Sequence, residues 1–199
     1  MKDKFKIGLY FGSFNPVHVG HLIIAENLLN QSNLNQVWMV VSPQNPFKEK
    51  KTLASEADRF QMVELATQNH PYVKPSNVEF FLPKPSYTID TLVHLSQKYP
   101  NYIFSLLMGE DNLETLHKWK NYESILKYYD IYVYPRLNSK KPEIKSERIH
   151  YIDAPIIELS ATEFRKLHSQ GKNCQFMVPS VVYDYIQKNL LYADKKLYS

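Results

Sequence analysis

Short apolar runs alternate along the chain with longer segments whose apolar residues recur every three or four positions. The first run covers residues 7–11 and ends at Gly12, and residues 19–31 carry the helical spacing. By the same criteria, strands are predicted at 37–41, 78–82, 102–108, 130–134 and 149–152, and helices at 54–69, 89–98, 113–127, 161–169 and 180–191. Continuous apolar strands that alternate with helices predict an α/β fold of Rossmann type, in which helices cover both faces of a parallel sheet.

The size and composition of the chain favour a single domain. Its 199 residues are 44% hydrophobic and 14% aromatic, which is enough to bury one substantial core. We therefore expect residues 1–199 to form one domain, with the Rossmann-like core at about 5–155 and a small C-terminal helical part at about 159–192.

The net charge, the single cysteine and the first residues of the chain limit its possible functions. A formal charge of +4 suits an anionic ligand but does not require nucleic acid or another polyanion. A single cysteine, Cys174, allows no internal disulfide, and we expect it to be buried. The charged residues 1–4 and the short apolar stretch after them resemble neither a secretory signal nor a membrane span, so a cytoplasmic protein without a membrane partner is expected.

The segment from Gly12 to His21 reads Gly-Ser-Phe-Asn-Pro-Val-His-Val-Gly-His and follows the first predicted strand. The five glycines, at positions 8, 12, 20, 109 and 171, form neither a G-x-G-x-x-G motif nor a Walker P-loop. Gly12 permits a sharp turn, Asn15 is a good N-cap, and Pro16 suits the first helical position. These residues predict a helix that begins near Asn15.

Two histidines in this segment predict an anion site. His18 and His21 are three residues apart, so they project from one side of a helix start whose N–H groups attract negative charge. Gly20 between them lets a ligand approach closely. A zinc pair is the alternative, but the segment contains no Cys, Asp or Glu to complete the coordination.

The segment resembles the G-x-F-x-P-x-H-x-G-H signature of the nucleotidyltransferases related to class I aminoacyl-tRNA synthetases. Phe11 and Asn15 depart from it, where that family often has glycine and aspartate. Further blocks, from residue 7 to about 186, resemble the bacterial nicotinate-nucleotide adenylyltransferases. They are residues 42–48, 58–62, 85–92, 108–112 with Trp119, and 159–165. The block Pro-Ser-Tyr-Thr-Ile-Asp-Thr-Leu at 85–92 points to this group rather than to the phosphopantetheine or cytidylyl branches.

The resemblance implies adenylyl transfer from ATP, with its Mg²⁺, to nicotinate mononucleotide. It assigns catalytic roles to His18, His21, Lys48 and Arg165. It assigns ATP contacts to Gly12, Ser13, Phe14, His18, Gly20, His21, Gly109, Asp111, Ser160, Thr162 and Arg165. It assigns nicotinate nucleotide contacts to Ser13, Phe14, Lys48, Tyr87, Thr88 and Trp119. It implies no protein-held metal.

Several of these residues also have a simpler interpretation. Arg165 and Lys48 could be solvated surface cations, and Trp119 could simply cover the core. Ser86 or Thr88 could cap the helix that follows them, and Asp111 could cap the short helix after the fourth strand.

Two other functions remain open at the level of sequence. One is another adenylyl- or cytidylyltransferase on the same fold. The other is a non-catalytic nucleotide- or nucleic-acid-binding protein that uses the basic segments 48–51 and 136–148. The sequence leaves open the choice between nicotinate and nicotinamide mononucleotide, and the oligomeric state.

Overall fold

A computed structural model describes residues 4–43, 53–137, 139 and 144–193. The strands are β1 (Phe5–Gly12), β2 (Gln36–Val41), β3 (Val73–Ser76), β4 (Tyr102–Gly109), β5 (Ile131–Tyr134) and β6 (Ile149–Tyr151). The helices are α1 (Val19–Gln31), α2 (Glu56–Thr67), α3 (Thr88–Lys98), α4 (Glu110–Glu114), α5 (Tyr122–Tyr128), α6 (Ala161–Ser169) and α7 (Ser180–Lys188). Short 3₁₀ turns lie at Val78–Phe81, Leu116–Lys118 and Gln175–Met177.

The six strands form one parallel sheet in the order β3-β2-β1-β4-β5-β6. Strand order reverses between β1 and β4, so the connections from these neighbours leave on opposite faces. A crevice opens at such a switch point, outside the carboxyl ends of the strands. Gly12 and Gly109 end these two strands, which places the predicted motif and the Gly109 segment on either side of the crevice.

Apolar side chains cover both faces of the sheet, as predicted. On one face Tyr10 and Met39 pack with buried residues of α1, α2, α6 and α7, which are Ile24, Ala25, Leu28, Met62, Val63, Phe164, Val182 and Ile186. On the other face Ile7 and Leu9 pack with buried residues of α3, α4, α5 and the intervening turn, which are Ile89, Leu92, Leu95, Leu113, Leu116 and Ile125. The α/β prediction is confirmed.

The predicted strand at 78–82 is wrong. Residues 78–81 form a 3₁₀ turn, and the edge strand is β3, which pairs with β2 through four residues. The side chain of Glu79 is buried and accepts a hydrogen bond from the Thr91 hydroxyl at 2.8 Å. Residues 78–81 therefore form a turn in which the buried carboxylate reaches its polar partner. Pro75 is tolerated in β3 because β3 is an edge strand.

The starts and ends of the later helices follow local chemistry. The Ser160 hydroxyl accepts the Glu163 N–H at 3.1 Å and caps α6, and Gly171 adopts a φ of +68° just after the helix ends. The N-cap of α3 is Tyr87, which makes no side-chain cap, so the capping role considered for Ser86 or Thr88 is wrong. Within the described ranges, no helix is long and apolar enough to cross a membrane.

Candidate active site

The loop after β1 is folded around the ring of Phe14. This residue has a φ of +44°, is 2% exposed, and packs edge-on against Tyr10 and His21. A Cβ at Gly12 would lie 2.8 Å from the Phe14 ring, so glycine is required there. Since the Phe14 side chain is buried in protein, any contact with a ligand falls to its main chain.

The prediction that the helix begins near Asn15, with Asn15 as its N-cap, is wrong. α1 begins at Val19, with His18 as its N-cap. The Asn15 side chain is engaged elsewhere: its Oδ1 accepts the Ala54 N–H at 3.1 Å and the Tyr192 hydroxyl at 2.8 Å. Asn15 therefore ties the motif loop to the start of α2 and to the C-terminal segment.

His18 and His21 form a stacked pair at the start of α1. Their ring centroids lie 3.6 Å apart at an interplanar angle of 24°. The backbone N–H of His18 donates to Nδ1 of His21 at 3.2 Å, which places the proton of a neutral His21 ring on Nε2. Burial lowers the pKa of His18 to about 4, and the positive charge of Arg136 adds to the effect. His18 is therefore a neutral imidazole at pH 7.

Gly20 is buried beside this pair. A Cβ there would lie 3.1 Å from Nδ1 of His18 and 3.3 Å from Cγ2 of Ile157. The glycine thus makes room for the His18 ring and for the segment before α6, in addition to any ligand.

Arg136 follows β5 and borders the crevice beside the end of β4. Nε of Arg136 lies 3.7 Å from Oδ1 of Asp111, and its guanidinium sits 5.1 Å from the centroid of the Tyr134 ring. The backbone N–H of Arg136 donates to Oε2 of Glu110 at 3.0 Å, which fixes the start of the loop after β5. A Cβ on Gly109 would collide with the Asp111 carboxylate. Sequence reasoning included Arg136 only as one end of a basic segment.

Arg165 reaches from α6 to the motif loop. Its Nη1 donates to the carbonyl oxygen of Asn15 at 2.6 Å, and its Nη2 donates to the Thr162 hydroxyl at 3.3 Å. Arg165 and Thr162 line a cleft of about 530 Å³ that Tyr192 also borders. The guanidinium is thus anchored beside the motif loop, and the interpretation of Arg165 as a freely solvated cation does not hold.

Two of the residues predicted for the nicotinate nucleotide, Tyr87 and Thr88, lie at the start of α3. Tyr87 precedes the helix, Thr88 is its first residue, and Nζ of Lys120 lies 4.6 Å from the centroid of the Tyr87 ring. Lys120 also pairs with Asp90 at 2.8 Å. Trp119, next to Lys120, is half-buried against the core on the same face of the sheet, so its core-covering interpretation is satisfied in part.

Lys48 lies outside the described residues, as do the rest of 44–52 and residues 138 and 140–143 of the basic segment. Its predicted role therefore stays a prediction.

Sequence reasoning gave Arg59 no role, although it is fully buried on α2. Its guanidinium donates to four carbonyl oxygens, at Ser13 (2.7 Å), Ser42 (2.7 Å), Pro43 (2.9 Å) and Ala54 (3.1 Å). This cation joins the motif loop to the loop after β2. The signal was an arginine within the apolar face of a helix, three and four residues before buried Met62 and Val63.

This arrangement can bind a small ligand that carries several negative charges. A helix start, a stacked histidine pair and the cations Arg136 and Arg165 surround the crevice at the switch point. Among the residues that the structure describes, no group of three or more His, Cys, Asp or Glu side chains is placed to hold a metal ion. Phosphate groups are the ligands that this chemistry fits best.

Comparisons with known proteins agree on one group. A family model described as cytidylyltransferase-like matches residues 9–167. A Flavobacterium johnsoniae protein named "probable nicotinate-nucleotide adenylyltransferase" is 56% identical over 190 residues, which cover 94% of this chain and 98% of that protein. A Flavobacterium psychrophilum protein with the same name is 53% identical over 190 residues, with the same coverage.

A solved structure shares the fold at low sequence identity. It is described as the nicotinic acid mononucleotide adenylyltransferase of Plasmodium falciparum complexed with NaAD. It superposes with a TM-score of 0.78 at 20% identity and covers 94% of this chain and 97% of its own. The likeness confirms the architecture independently of close sequence similarity.

Proposed function

The chain belongs to the cytidylyltransferase-like family and, within it, to the nicotinate-nucleotide adenylyltransferases, and on this premise we propose that it joins ATP to nicotinate mononucleotide. The products are nicotinate adenine dinucleotide and pyrophosphate, in a step of NAD biosynthesis. The observation that carries the proposal is the stacked pair of His18 and His21 at a helix start beside the switch point of the sheet.

The reaction requires positioning and charge stabilisation from the protein. The 5′-phosphate of nicotinate mononucleotide attacks the α-phosphorus of ATP in line, the new P–O bond forms, and the bond to pyrophosphate breaks. The second pKa of a phosphate monoester is about 6, so the attacking oxygen is already ionised at pH 7 and needs no general base. Preorganised donors around the phosphates then supply the catalysis.

The ATP half of the site is supported by the groups around the motif loop. His21 is assigned as a donor to the phosphates, and the buried, neutral His18 stacks against it and holds its orientation. Arg165, anchored on Asn15, and Arg136 supply positive charge for the phosphates as negative charge moves to pyrophosphate. Main-chain groups of Gly12, Ser13 and Phe14, with Gly20, form the surface that the phosphates meet.

The remaining predicted residues are divided between the ATP half and the acceptor half of the site. Ser160 and Thr162 place α6 and Arg165, while Gly109 and Asp111 border the crevice from β4 and contact the nucleoside. Tyr87, Thr88 and Trp119 form the acceptor half, with the pyridine ring against the Trp119 side chain. Lys48 is proposed as a further phosphate contact.

Magnesium enters as part of the substrate MgATP. Mg²⁺ prefers phosphate oxygens and water and dehydrates reluctantly, so it accompanies the triphosphate. The contact between Arg165 and the carbonyl of Asn15 supports the view that the core and the C-terminal helices act as one nucleotidyltransferase domain. Because ATP and pyridine nucleotides are cytoplasmic metabolites, we place the enzyme in the cytoplasm.

The test is an acceptor panel with the purified protein, ATP and Mg²⁺, in which pyrophosphate release is measured. The panel includes nicotinate and nicotinamide mononucleotides, phosphopantetheine and a choline phosphate. We expect turnover with nicotinate mononucleotide. Turnover with another acceptor instead would overturn the acceptor assignment, and no release with any acceptor would contradict the proposed reaction.

The role of His21 is tested in the same assay. His21→Ala should lower kcat by about 10²-fold or more, because it removes one preorganised donor to the transition state. His150→Ala, which removes a half-exposed imidazole on the edge strand β6, is the matched control and should keep wild-type turnover. A His21→Ala enzyme with near-normal kcat would remove His21 from the mechanism.

A further inference from the structure

A fully buried arginine lies beside the motif loop, and the reaction proposed above gives it no role. Arg59 is 0% exposed, and its guanidinium donates only to carbonyl oxygens of the main chain. In the described part of the chain, no carboxylate forms an ion pair with it. Burying a charge is costly, and this cation gains no opposite charge in return, so its presence points to a geometric role.

The bond from Arg59 to Ser13 fixes one peptide group of the motif loop. Nη1 of Arg59 donates to the carbonyl oxygen of Ser13 at 2.7 Å. The peptide bond between Ser13 and Phe14 is trans, and the C=O and N–H of a planar trans peptide group point in opposite directions. Because the carbonyl faces Arg59, the N–H of Phe14 points away from the buried guanidinium.

A second anchor lies on the other side of Phe14. Nε of Arg59 donates to the carbonyl oxygen of Ala54 at 3.1 Å, and the N–H of Ala54 donates to Oδ1 of Asn15 at 3.1 Å. The loop is therefore held at the residue before Phe14 and at the residue after it. Between these anchors Phe14 keeps a φ of +44°, a strained conformation for a bulky residue that persists only where its surroundings impose it.

The main-chain N–H of Phe14 is available to a ligand. No acceptor for it lies in the parts of the chain that the structure describes, and a main-chain N–H normally finds a partner in the protein, in water or in a ligand. The donor belongs to the same loop as the histidine pair, since the rings of Phe14 and His21 lie 5.0 Å apart between centroids. An N–H beside a helix start and two imidazoles suits a phosphate oxygen.

We propose that Arg59 is the positioning residue of the phosphate site, which holds the Ser13 carbonyl and thereby directs the Phe14 N–H toward the phosphates. The inference rests on the proposed function, because it takes the motif loop as the surface that binds them. Arg59 is itself held after β2: Nη1 also donates to the carbonyl oxygen of Ser42 at 2.7 Å, and Nη2 to that of Pro43 at 2.9 Å. A donor whose direction is fixed before binding needs no reorganisation during the reaction.

The peptide group between Ser13 and Phe14 can be observed by itself, because the dipeptide Ser-Phe occurs once in the sequence. Full-length protein labelled with ¹³C at the serine carbonyls and ¹⁵N at the phenylalanine nitrogens gives one HNCO cross-peak, that of the Phe14 N–H. The probe is pyrophosphate, the proposed leaving group, titrated into the wild type and into Arg59→Met. In the wild type we expect the amide proton to move downfield at saturation, as it does when an N–H donates to an anionic oxygen.

Arg59→Met removes every donor at this position and releases the Ser13 carbonyl. We expect a smaller downfield shift of the Phe14 amide proton and a Kd for pyrophosphate that is raised about tenfold, the size of one hydrogen bond to a charged group. A merely structural role would lower the fraction of folded protein, which weakens the cross-peak but leaves its shift and the Kd unchanged. That result would overturn the proposal, as would a wild-type amide proton that pyrophosphate does not move.

Two further variants keep the test decisive. Arg59→Lys retains the charge but has no fixed fork of donors, so its shift and Kd should lie between those of the other two proteins; if Arg59→Met does not fold, wild-type values in Arg59→Lys would overturn the proposal. Arg148→Met is the matched control and should behave as the wild type, because Arg148 is a half-exposed arginine that pairs with Asp130 at 3.1 Å. The titration contains no acceptor, so a failure of the nicotinate assignment appears in the acceptor panel and is distinguished from a failure of Arg59.

Discussion

The buried state of His18 makes the stability of the protein depend on pH. A histidine in an unfolded chain has a pKa of about 6.5, whereas burial and Arg136 hold the folded pKa of His18 at about 4. Between pH 4 and pH 6.5, His18 therefore binds a proton in the unfolded state and not in the folded state. The contribution of His18 to stability is therefore complete above pH 6.5 and is lost progressively as the pH falls toward 4.

The magnitude follows from the two pKa values. One pKa unit corresponds to about 1.4 kcal/mol, and the interval from pH 6.5 to pH 5 spans 1.5 units, so His18 should cost the folded state about 2 kcal/mol at pH 5. Other groups titrate as well: burial lowers the pKa of His168, which acts in the same direction, and raises the pKa of Glu79, which acts in the opposite one. Comparison with a His18 variant removes these shared contributions.

The assay is urea unfolding at pH 7.5 and pH 5.0, followed by the fluorescence of Trp38 and Trp119, for the wild type and His18→Asn. The free energy of unfolding of the wild type should fall between the two pH values by about 2 kcal/mol more than that of the variant. The difference between the two differences is the readout, so any loss of packing in the variant cancels. Equal losses in both proteins would refute the neutral, buried His18.

Two further predictions concern the motif loop. Tyr192→Phe removes the hydroxyl that donates to Oδ1 of Asn15 at 2.8 Å, while the Ala54 N–H still donates to that oxygen. The free energy of unfolding should therefore fall by about 1 kcal/mol, and Tm by about 2–4 °C in a thermal melt. Tyr128→Phe, on a ring that is 62% exposed, is the control, and an unchanged Tm for Tyr192→Phe would contradict the bond. Gly12→Ala would place a Cβ 2.8 Å from the buried Phe14 ring and should cost about 1–3 kcal/mol in urea unfolding, so a wild-type midpoint would show that the ring can move.

The fold could be predicted because each of its main units is a local pattern. β1 and α1 are read from one apolar run and one helical period, and α6 from a serine cap and a terminal glycine. The segment at 78–82 was misread, because a short, mostly apolar run fits a strand and a short turn equally well. The burial of Glu79 decides between them, and it depends on Thr91 twelve positions later.

The candidate site was predictable where the chain places its residues in one short segment. His18, Gly20 and His21 are such a set, and the structure brings them together. Asn15 was misread because its partners are Ala54 and Tyr192, which no local pattern connects with it. Arg136 was not predicted as a site residue for the same reason, since its partner Glu110 lies 26 positions away.

The bond between Tyr192 and Asn15 has a consequence for the order in which the protein is made. It joins residues 177 positions apart, so the motif loop leaves the ribosome long before its partner exists. At a synthesis rate of about 5–20 residues per second, the interval is on the order of ten seconds or more. When β6 has been translated, Asn15 still lacks the Tyr192 hydroxyl and its carbonyl oxygen still lacks Arg165. The ATP loop is therefore completed last, although it is among the first parts of the chain to be translated.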